Sequence, residues 1–228
     1  MPATNYAIIV AGGSGTRMKS AMPKQFLPLN GRPLMFYTLE AFYSSKAQPK
    51  LIVVMHPDFH EHWAELCNEH QFTLPHALVA GGSTRFHSVK NGFDTIKDTN
   101  AVIAVHDAVR PLTSADVIDN AYEYASQHGN AVVAVKSRDS VRRVKDGIST
   151  ALIRDEIYLV QTPQTFIYKQ LQEAYQQPYN DGFTDDASVV EAAGYKINLV
   201  EGNDTNIKIT FPDDIAIAEL LLSKKPSL

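Results

Sequence analysis

The stretch Tyr6-Ala-Ile-Ile-Val-Ala-Gly-Gly-Ser-Gly-Thr-Arg-Met18, followed by Pro23-Lys-Gln-Phe26, decides the fold. Ile8 to Ala11 have the unbroken apolar character of a strand buried on both faces, as in a parallel sheet. Gly12, Gly13 and Gly15 let the chain turn sharply and approach a ligand closely, and Arg17 and Lys24 bring two cations to the turn. Exposed backbone N–H groups beside paired cations suit a polyphosphate. The loop is not a P-loop, because no Gly-Lys-Ser/Thr follows at the required spacing. It is also a poor dinucleotide fingerprint, since Arg17 stands where a third glycine is wanted. Taken alone, the loop is also compatible with a tight strand-to-helix turn that binds nothing. The two cations weigh toward a nucleotide.

Outward from this loop, short β-branched runs alternate with helical patterns. Strands are expected at Tyr6–Ala11, Leu51–Met55, Ala77–Ala80, Val102–His106 and Ala131–Lys136. Helices are expected near Leu34–Tyr43, Phe59–Glu69, Arg85–Ile96 and Ser114–Gln127. This alternation predicts an α/β, Rossmann-like, mostly parallel twisted sheet with helices on both faces. Ligands on such sheets bind at the carboxyl ends of the strands. The pattern breaks after residue 136, where two short strands flank Asp146-Gly147, a hairpin turn signal. The hairpin has too little apolar surface to stand alone and reads as an arm, at about 137–157, that packs on another subunit. Helices near Tyr168–Gln176 and Asp185–Ala193, strands at Lys196–Val200 and Asn206–Ile209, and a closing helix from Pro212 to Leu222 complete a single domain.

The 228 residues suit one large domain. A net charge of −4 argues against non-specific nucleic-acid binding. The single cysteine, Cys67, excludes an intramolecular disulfide and any multi-cysteine metal site, and reads as a buried helix residue and not a nucleophile. No apolar run approaches the ~18–20 residues that span a bilayer, and no signal-peptide pattern opens the chain. A soluble, cytoplasmic protein without a membrane partner is expected.

Four further segments could carry chemistry. In Val105-His-Asp-Ala-Val-Arg-Pro111, Asp107 is a natural Mg²⁺ ligand facing the phosphate loop, with Arg110 as charge balance. A turn-capping Asp107 is the competing reading. Gly81-Gly-Ser-Thr-Arg-Phe-His-Ser88 offers the hydroxyls of Ser83, Thr84 and Ser88 to a base or ribose, or to a helix cap. In Phe183-Thr-Asp-Asp-Ala-Ser188, Thr184 looks like a helix N-cap. Lys208 sits between Ile207 and Ile209, so in a strand it points to the opposite face from both, into a cleft or from an exposed edge. His56, His60 and His62 read as a solvated helix start and not as a metal site.

Together these residues resemble the nucleotidyltransferases that activate a small phosphorylated metabolite with a nucleoside triphosphate. They are most similar to the 2-C-methyl-D-erythritol 4-phosphate cytidylyltransferases of the non-mevalonate isoprenoid pathway. The glycine loop with Pro23-Lys24, Val105–Pro111, Arg154-Asp155, Gln161-Thr-Pro-Gln164, Thr184–Ser188 and Asn206–Thr210 follow the family's motifs in order over nearly the whole chain. The resemblance implies a homodimer joined through the arm, with CTP and methylerythritol phosphate as substrates. It implies that Arg17, Lys24, Arg154 and Lys208 are catalytic and that Asp107 holds the divalent cation. Ala11, Gly12, Gly13, Gly15, Gly82, Ser83, Ser88 and Ala108 would bind the nucleotide. Ser140, Arg110, Thr162 and Thr184 would bind the second substrate, with Ser140 and Arg154 reaching in from the partner's arm. Ser83 replaces a common Asp and Ser140 a common Thr, each keeping a polar contact. The competing readings are a ribitol-5-phosphate cytidylyltransferase, which shares the loop and Gln-Thr-Pro-Gln-Thr-Phe, and a nucleotide-binding module without turnover. A sugar-phosphate guanylyl- or uridylyltransferase fits less well.

Overall fold

The computed structural model describes residues 3–12 and 22–224. Strand β1 (Asn5–Val10) is followed, among the described residues, by a short 3₁₀ turn at Lys24–Phe26 and a two-residue-stranded hairpin, β2 (Pro28–Leu29) and β3 (Arg32–Pro33). Then follow α1 (Leu34–Tyr43), β4 (Lys50–Met55), α2 (His60–Glu69), β5 (His76–Ala80), α3 (Arg85–Asp94), β6 (Val102–Asp107), α4 (Ala115–His128) and β7 (Asn130–Lys136). The arm is β8 (Arg142–Lys145) and β9 (Ile148–Ala151). The chain returns through β10 (Tyr158–Ile167), α5 (Tyr168–Ala174), α6 (Asp186–Ala192), β11 (Leu199–Glu201) and α7 (Asp213–Ser223).

Seven strands form one sheet in the order β11-β7-β10-β6-β1-β4-β5. All neighbours are parallel except β10, which runs antiparallel between β6 and β7. The inner strands are apolar on both faces, which is why the sequence pattern reveals them. Ala7, Ile9, Val53, Met55 and Ala104 pack under α1, α2 and α4. Ile8, Ile52, Val54, Ile103 and Val105 meet α3, α5 and α6 on the other face. Trimming a wholly buried residue such as Phe166 to Ala costs about 3–5 kcal/mol in such an interior.

β10 is the strand that periodicity does not announce. Its Gln161-Thr-Pro-Gln164 centre is polar, holds a cis Thr162–Pro163 peptide, and coincides with a register shift against β7. The expected strand at Asn206–Ile209 does not form. Alternation survives there all the same: Ile209 is buried with Val109, Leu29 and Leu34, its N–H donates to the Val109 carbonyl (2.9 Å), and Lys208 is turned away.

β8 and β9 pair only with each other, around Asp146 and Gly147, both at positive φ (51° and 76°) as their hairpin turn requires. Every residue of the two strands is exposed, and Val144, Ile148 and Ile153 present apolar side chains outward. Among the described residues, no helix is long and apolar enough to cross a membrane.

Candidate active site

β1 ends at Val10 and β6 at Asp107, side by side in register. The chain leaves β1 toward β4 on one side, and later places β6 on the other. A crevice therefore opens at their carboxyl ends. It is a cleft of about 360 Å³, lined among the described residues by Ala11, Gly12, Lys24, Gln25, Gly82, Ser83, Thr84, Arg85, Ser88, Asp107 and Lys208, together with Val10 and Val109. A larger cavity, about 690 Å³, lies at the far sheet edge by the base of the arm, where Lys136, Arg138, Glu201 and Asp204 line it. The smaller cleft is the one that gathers the chemistry.

Asp107 is its centre. Oδ2 takes Lys208 Nζ at 3.0 Å and Arg110 Nε at 3.3 Å, while Oδ1 faces Arg85 Nε at 3.9 Å. Burial by itself would raise the Asp107 pKa. The charges of Arg85, Lys208 and Arg110 outweigh it and hold the carboxyl well below the usual carboxylate range. Behind it, the Asp107 N–H donates to Thr162 Oγ1 (3.2 Å), and that hydroxyl is left to donate to His106 Nδ1 (3.0 Å). His106 lies on the Phe42 ring edge and is fully buried, and burial pushes its pKa down to about 3.

That imidazole sets an acid limit on stability. Unfolded, it takes a proton near its ordinary pKa of 6.5, whereas the folded chain holds it neutral down to about 3. Stability is therefore intact above about pH 6.5 and falls through the window from 6.5 toward 3, by up to about 1.4 kcal/mol per pH unit. Asp107 adds its own loss only below its unfolded value of 3.8. Urea titrations at pH 7, 6 and 5 should show the decline, and His106→Gln should flatten it. An unchanged slope in that variant would remove His106 from the explanation.

Lys24 is buried against the cleft floor, with Nζ donating to the Ile209 carbonyl (3.0 Å). Gln25 donates to the Ala11 carbonyl (2.7 Å), which ties the 3₁₀ turn to the end of β1. On the opposite wall, the Gly82 N–H donates to Ser88 Oγ (3.0 Å), and that hydroxyl donates to the Thr84 carbonyl (2.9 Å). Glycine is required at 82, because a Cβ there would stand 2.4 Å from His87 Cβ. Thr84 is the N-cap of α3, and Ser83 Oγ lies 3.2 Å from His87 Nδ1.

The predicted set thus divides. Lys24, Lys208, Asp107, Ala11, Gly12, Gly82, Ser83 and Ser88 share the cleft. Gly13, Gly15 and Arg17 lie outside the described residues. Ala108 is wholly buried behind the cleft, its N–H donating to the Val10 carbonyl and its carbonyl accepting from Thr38. Arg110 is buried between Asp107 and the Asn206 carbonyl (2.7 Å), the charge balance first read from the sequence and not an open substrate contact. Thr162 is likewise buried behind Asp107. Thr184 is exposed and is not the helix cap. Asp185 caps α6, accepting from the Ser188 N–H in a capping box. Ser140 and Arg154 are exposed on and beside the arm, away from their own chain's cleft lining.

Two residues of the site escape sequence reasoning. Arg85 bridges Asp107 to Asp186 (Nη2–Oδ2, 2.7 Å), a wholly buried carboxylate that also accepts from Tyr175 (2.6 Å). Asn206, also wholly buried, donates to the Thr162 carbonyl (2.8 Å), accepts from Thr113 (2.8 Å) and receives Arg110 on its own carbonyl. Their hydrogen-bond partners lie 44 to 101 residues away along the chain, so no local spacing signals either. Cys67 is on α2 as expected but only partly buried, packed against the core, and burial pushes its thiol up to about 11. Among the described residues no group of three or more His, Cys, Asp or Glu could hold a metal ion.

A crevice at the strand ends, walled by a glycine turn and carrying cations converged on one carboxylate, defines a nucleotidyltransferase-type α/β protein. Solved structures agree over nearly the full chain. That of 4-diphosphocytidyl-2C-methyl-D-erythritol synthase from Anaerococcus prevotii superposes with a TM-score of 0.83 at 27% identity, covering 97% of each chain. The 2-C-methyl-D-erythritol 4-phosphate cytidylyltransferase from Thermus thermophilus gives a TM-score of 0.76 at 29% identity, over 98% of this chain and 100% of that one. The sequence of the Bacteroides thetaiotaomicron protein named 2-C-methyl-D-erythritol 4-phosphate cytidylyltransferase is 46% identical over 94% of this chain and 98% of its own. The family model for 2-C-methyl-D-erythritol 4-phosphate cytidylyltransferase, IspD, matches residues 6–224. The chain belongs to that family.

Proposed function

We propose that this cleft transfers CMP from CTP to 2-C-methyl-D-erythritol 4-phosphate, giving the CDP-alcohol and pyrophosphate for isoprenoid precursor synthesis. The observation that carries the reading is the convergence of Lys24, Lys208 and Asp107 in one crevice opposite the Gly82–Ser88 wall. A phosphate oxygen of methylerythritol phosphate bonds to the α-phosphorus of CTP, and the bond from that phosphorus to the bridging oxygen of the β-phosphate breaks. The attacking phosphate monoester is already largely ionised near neutral pH, with a second pKa of about 6, so no general base is needed. Both reactants are anionic. The task is in-line positioning and neutralising the charge that grows in the transition state. Lys24 at the floor and Lys208 at the mouth supply cations, and the family resemblance adds Arg17, which lies outside the described residues. The Gly82, Ser83 and Ser88 wall receives the cytidine.

Among the described residues Asp107 is the one carboxylate of the cleft, ionised and at a strand end, but Lys208, Arg110 and Arg85 already surround it, so a Mg²⁺ here would take its ligands chiefly from phosphate oxygens and water, with Asp107 as a single protein ligand. When bound, Mg²⁺ would neutralise triphosphate charge. Asp107→Asn keeps the shape and removes the charge. A Mg²⁺ titration of initial rate should shift at least about tenfold upward. An unchanged titration would leave Asp107 as a turn residue.

Residues 1–228 form one domain in this reading, working in the cytoplasm on diffusible substrates. The arm at 137–157 joins two copies. Its outward Val144 and Ile148 need a covering surface, and in this reading Ser140 and Arg154, exposed on and beside the arm, serve the neighbour's cleft. Product analysis tests the function: with CTP, Mg²⁺ and methylerythritol phosphate, ³¹P NMR should show pyrophosphate and the paired doublets of a diphosphate diester. CTP left intact would overturn the assignment. Ribitol 5-phosphate is the second candidate acceptor, because the Gln161-Thr-Pro-Gln-Thr-Phe166 segment is shared with its transferases.

A further inference from the structure

Two guanidiniums stand beside Asp107, and they differ in what they have left to give. Arg110 is closed: Nε donates to Asp107 Oδ2 at 3.3 Å, Nη1 donates to the Asn206 carbonyl at 2.7 Å, and only 9% of its side chain is exposed. Arg85 is open. Among the described residues its guanidinium makes one hydrogen bond, from Nη2 to Asp186 Oδ2 at 2.7 Å. Its Nε lies 3.9 Å from Asp107 Oδ1, near enough for attraction and too far for a hydrogen bond. A guanidinium carries five N–H donors in a rigid fork, so most of those on Arg85 are unspent. Its side chain is 30% exposed, and the residue lines the cleft just beyond Ser83 of the cytidine wall. Asp107 does not use up its charge, because Lys208 at 3.0 Å and Arg110 already sit on the other carboxylate oxygen.

The anchor under Arg85 is firm. Asp186 is wholly buried at the start of α6, and Tyr175 donates to its second oxygen, Oδ1, at 2.6 Å. Releasing Arg85 would strand a buried carboxylate, so the guanidinium keeps its place at the cleft wall. We propose that Arg85 is a further substrate contact of the transfer reaction: Asp186 holds one edge of its guanidinium, and the free edge donates to the triphosphate of the bound CTP. The proposal rests on the reading of this cleft as the CTP site. A planar fork of parallel N–H groups matches a pair of phosphate oxygens, and the charge strengthens each bond. Lys24 and Lys208 line the same cleft, so an anion that enters it meets Arg85 together with these two ammonium groups. Because Asp186 orders the fork before the nucleotide arrives, little is lost to fixing the side chain on binding.

Two variants test the contact. Arg85→Lys keeps a positive charge beside Asp186, so the buried carboxylate stays compensated, while a single ammonium has no second edge to offer. The double change Arg85→Gln with Asp186→Asn removes both charges together, so that no buried charge is stranded if Arg85→Lys fails to fold. Thermal melts establish which variants are folded. Equilibrium dialysis with tritiated CTP and tritiated cytidine, without acceptor and at fixed Mg²⁺ and ionic strength, gives two affinities for each protein. Cytidine carries the base and ribose and lacks the phosphates, so the ratio of the two affinities reads the phosphate contacts alone. Both variants should bind CTP at least about tenfold more weakly than wild type, the scale of a lost hydrogen bond to a charged group, and should bind cytidine as wild type does. An Arg85 that only builds the wall would lower the melting temperature and leave the ratio where it was. A wild-type ratio in either folded variant, whether both ligands bind as before or both weaken together, overturns the contact. Wild-type protein that binds CTP no better than cytidine overturns the CTP reading of the cleft itself, and the contact with it.

Discussion

Lys24→Ala should lower kcat by about 10²-fold or more, with a smaller change in KM for CTP. The ammonium sits on the cleft floor, buried, with Nζ 3.0 Å from the Ile209 carbonyl. That anchor holds the charge in place before the substrate arrives, and a preorganised charge acts most strongly where charge develops, in the transition state. Lys24→Met separates charge from packing. It keeps most of the buried stem and should lose as much kcat as Lys24→Ala while melting closer to wild type. Near-normal kcat in either variant would remove Lys24 from the mechanism.

Mixed dimers of Lys24→Ala and Arg154→Ala, each inactive alone, should regain activity once subunits have exchanged. Arg154 stands just before β10, with its Nε 3.9 Å from neighbouring Asp155 and most of its side chain exposed. The hairpin before it contributes only exposed residues, so packing on another chain would stabilise it. If Arg154 serves the neighbour's substrate phosphate, one of the two clefts in a mixed dimer has an intact Lys24 and an intact Arg154. About half of wild-type activity per confirmed mixed dimer is the expected recovery. Persistent inactivity in confirmed mixed dimers would place Arg154 in its own subunit's service, or make the arm purely structural.

The parts of this protein that the sequence announces are those whose cause is local. β1, β4 and β6 stand out because burial on both faces removes polar residues from the run. α1 and α3 begin where the sequence places them, and the Asp146-Gly147 turn is legible because its backbone needs φ > 0. Lys208 is legible for a related reason: alternation with Ile209 turns it outward even though no strand forms there. What stays hidden depends on partners far along the chain. β10 pairs with β6 and β7 through a segment that carries Gln161, Thr162, Pro163 and Gln164, a composition that reads as loop. Arg85 looks like one helix residue among ten until Asp186, 101 positions later, accepts its guanidinium. Thr184 and Asp185 are both good caps, and only the geometry of α6 chooses Asp185. Ala108 lies in the right motif, and only the fold shows that its backbone bonds to Val10 and Thr38.

The acceptor is the point on which the functional claim turns. One pyrophosphate-release assay, run with CTP and Mg²⁺ against 2-C-methyl-D-erythritol 4-phosphate and ribitol 5-phosphate in parallel, addresses it directly. The account predicts turnover with methylerythritol phosphate and a kcat/KM for ribitol 5-phosphate lower by at least about 10²-fold, the range open to a site that hydrogen-bonds its substrate. Equal or faster release with ribitol 5-phosphate, or none with either alcohol, would contradict it.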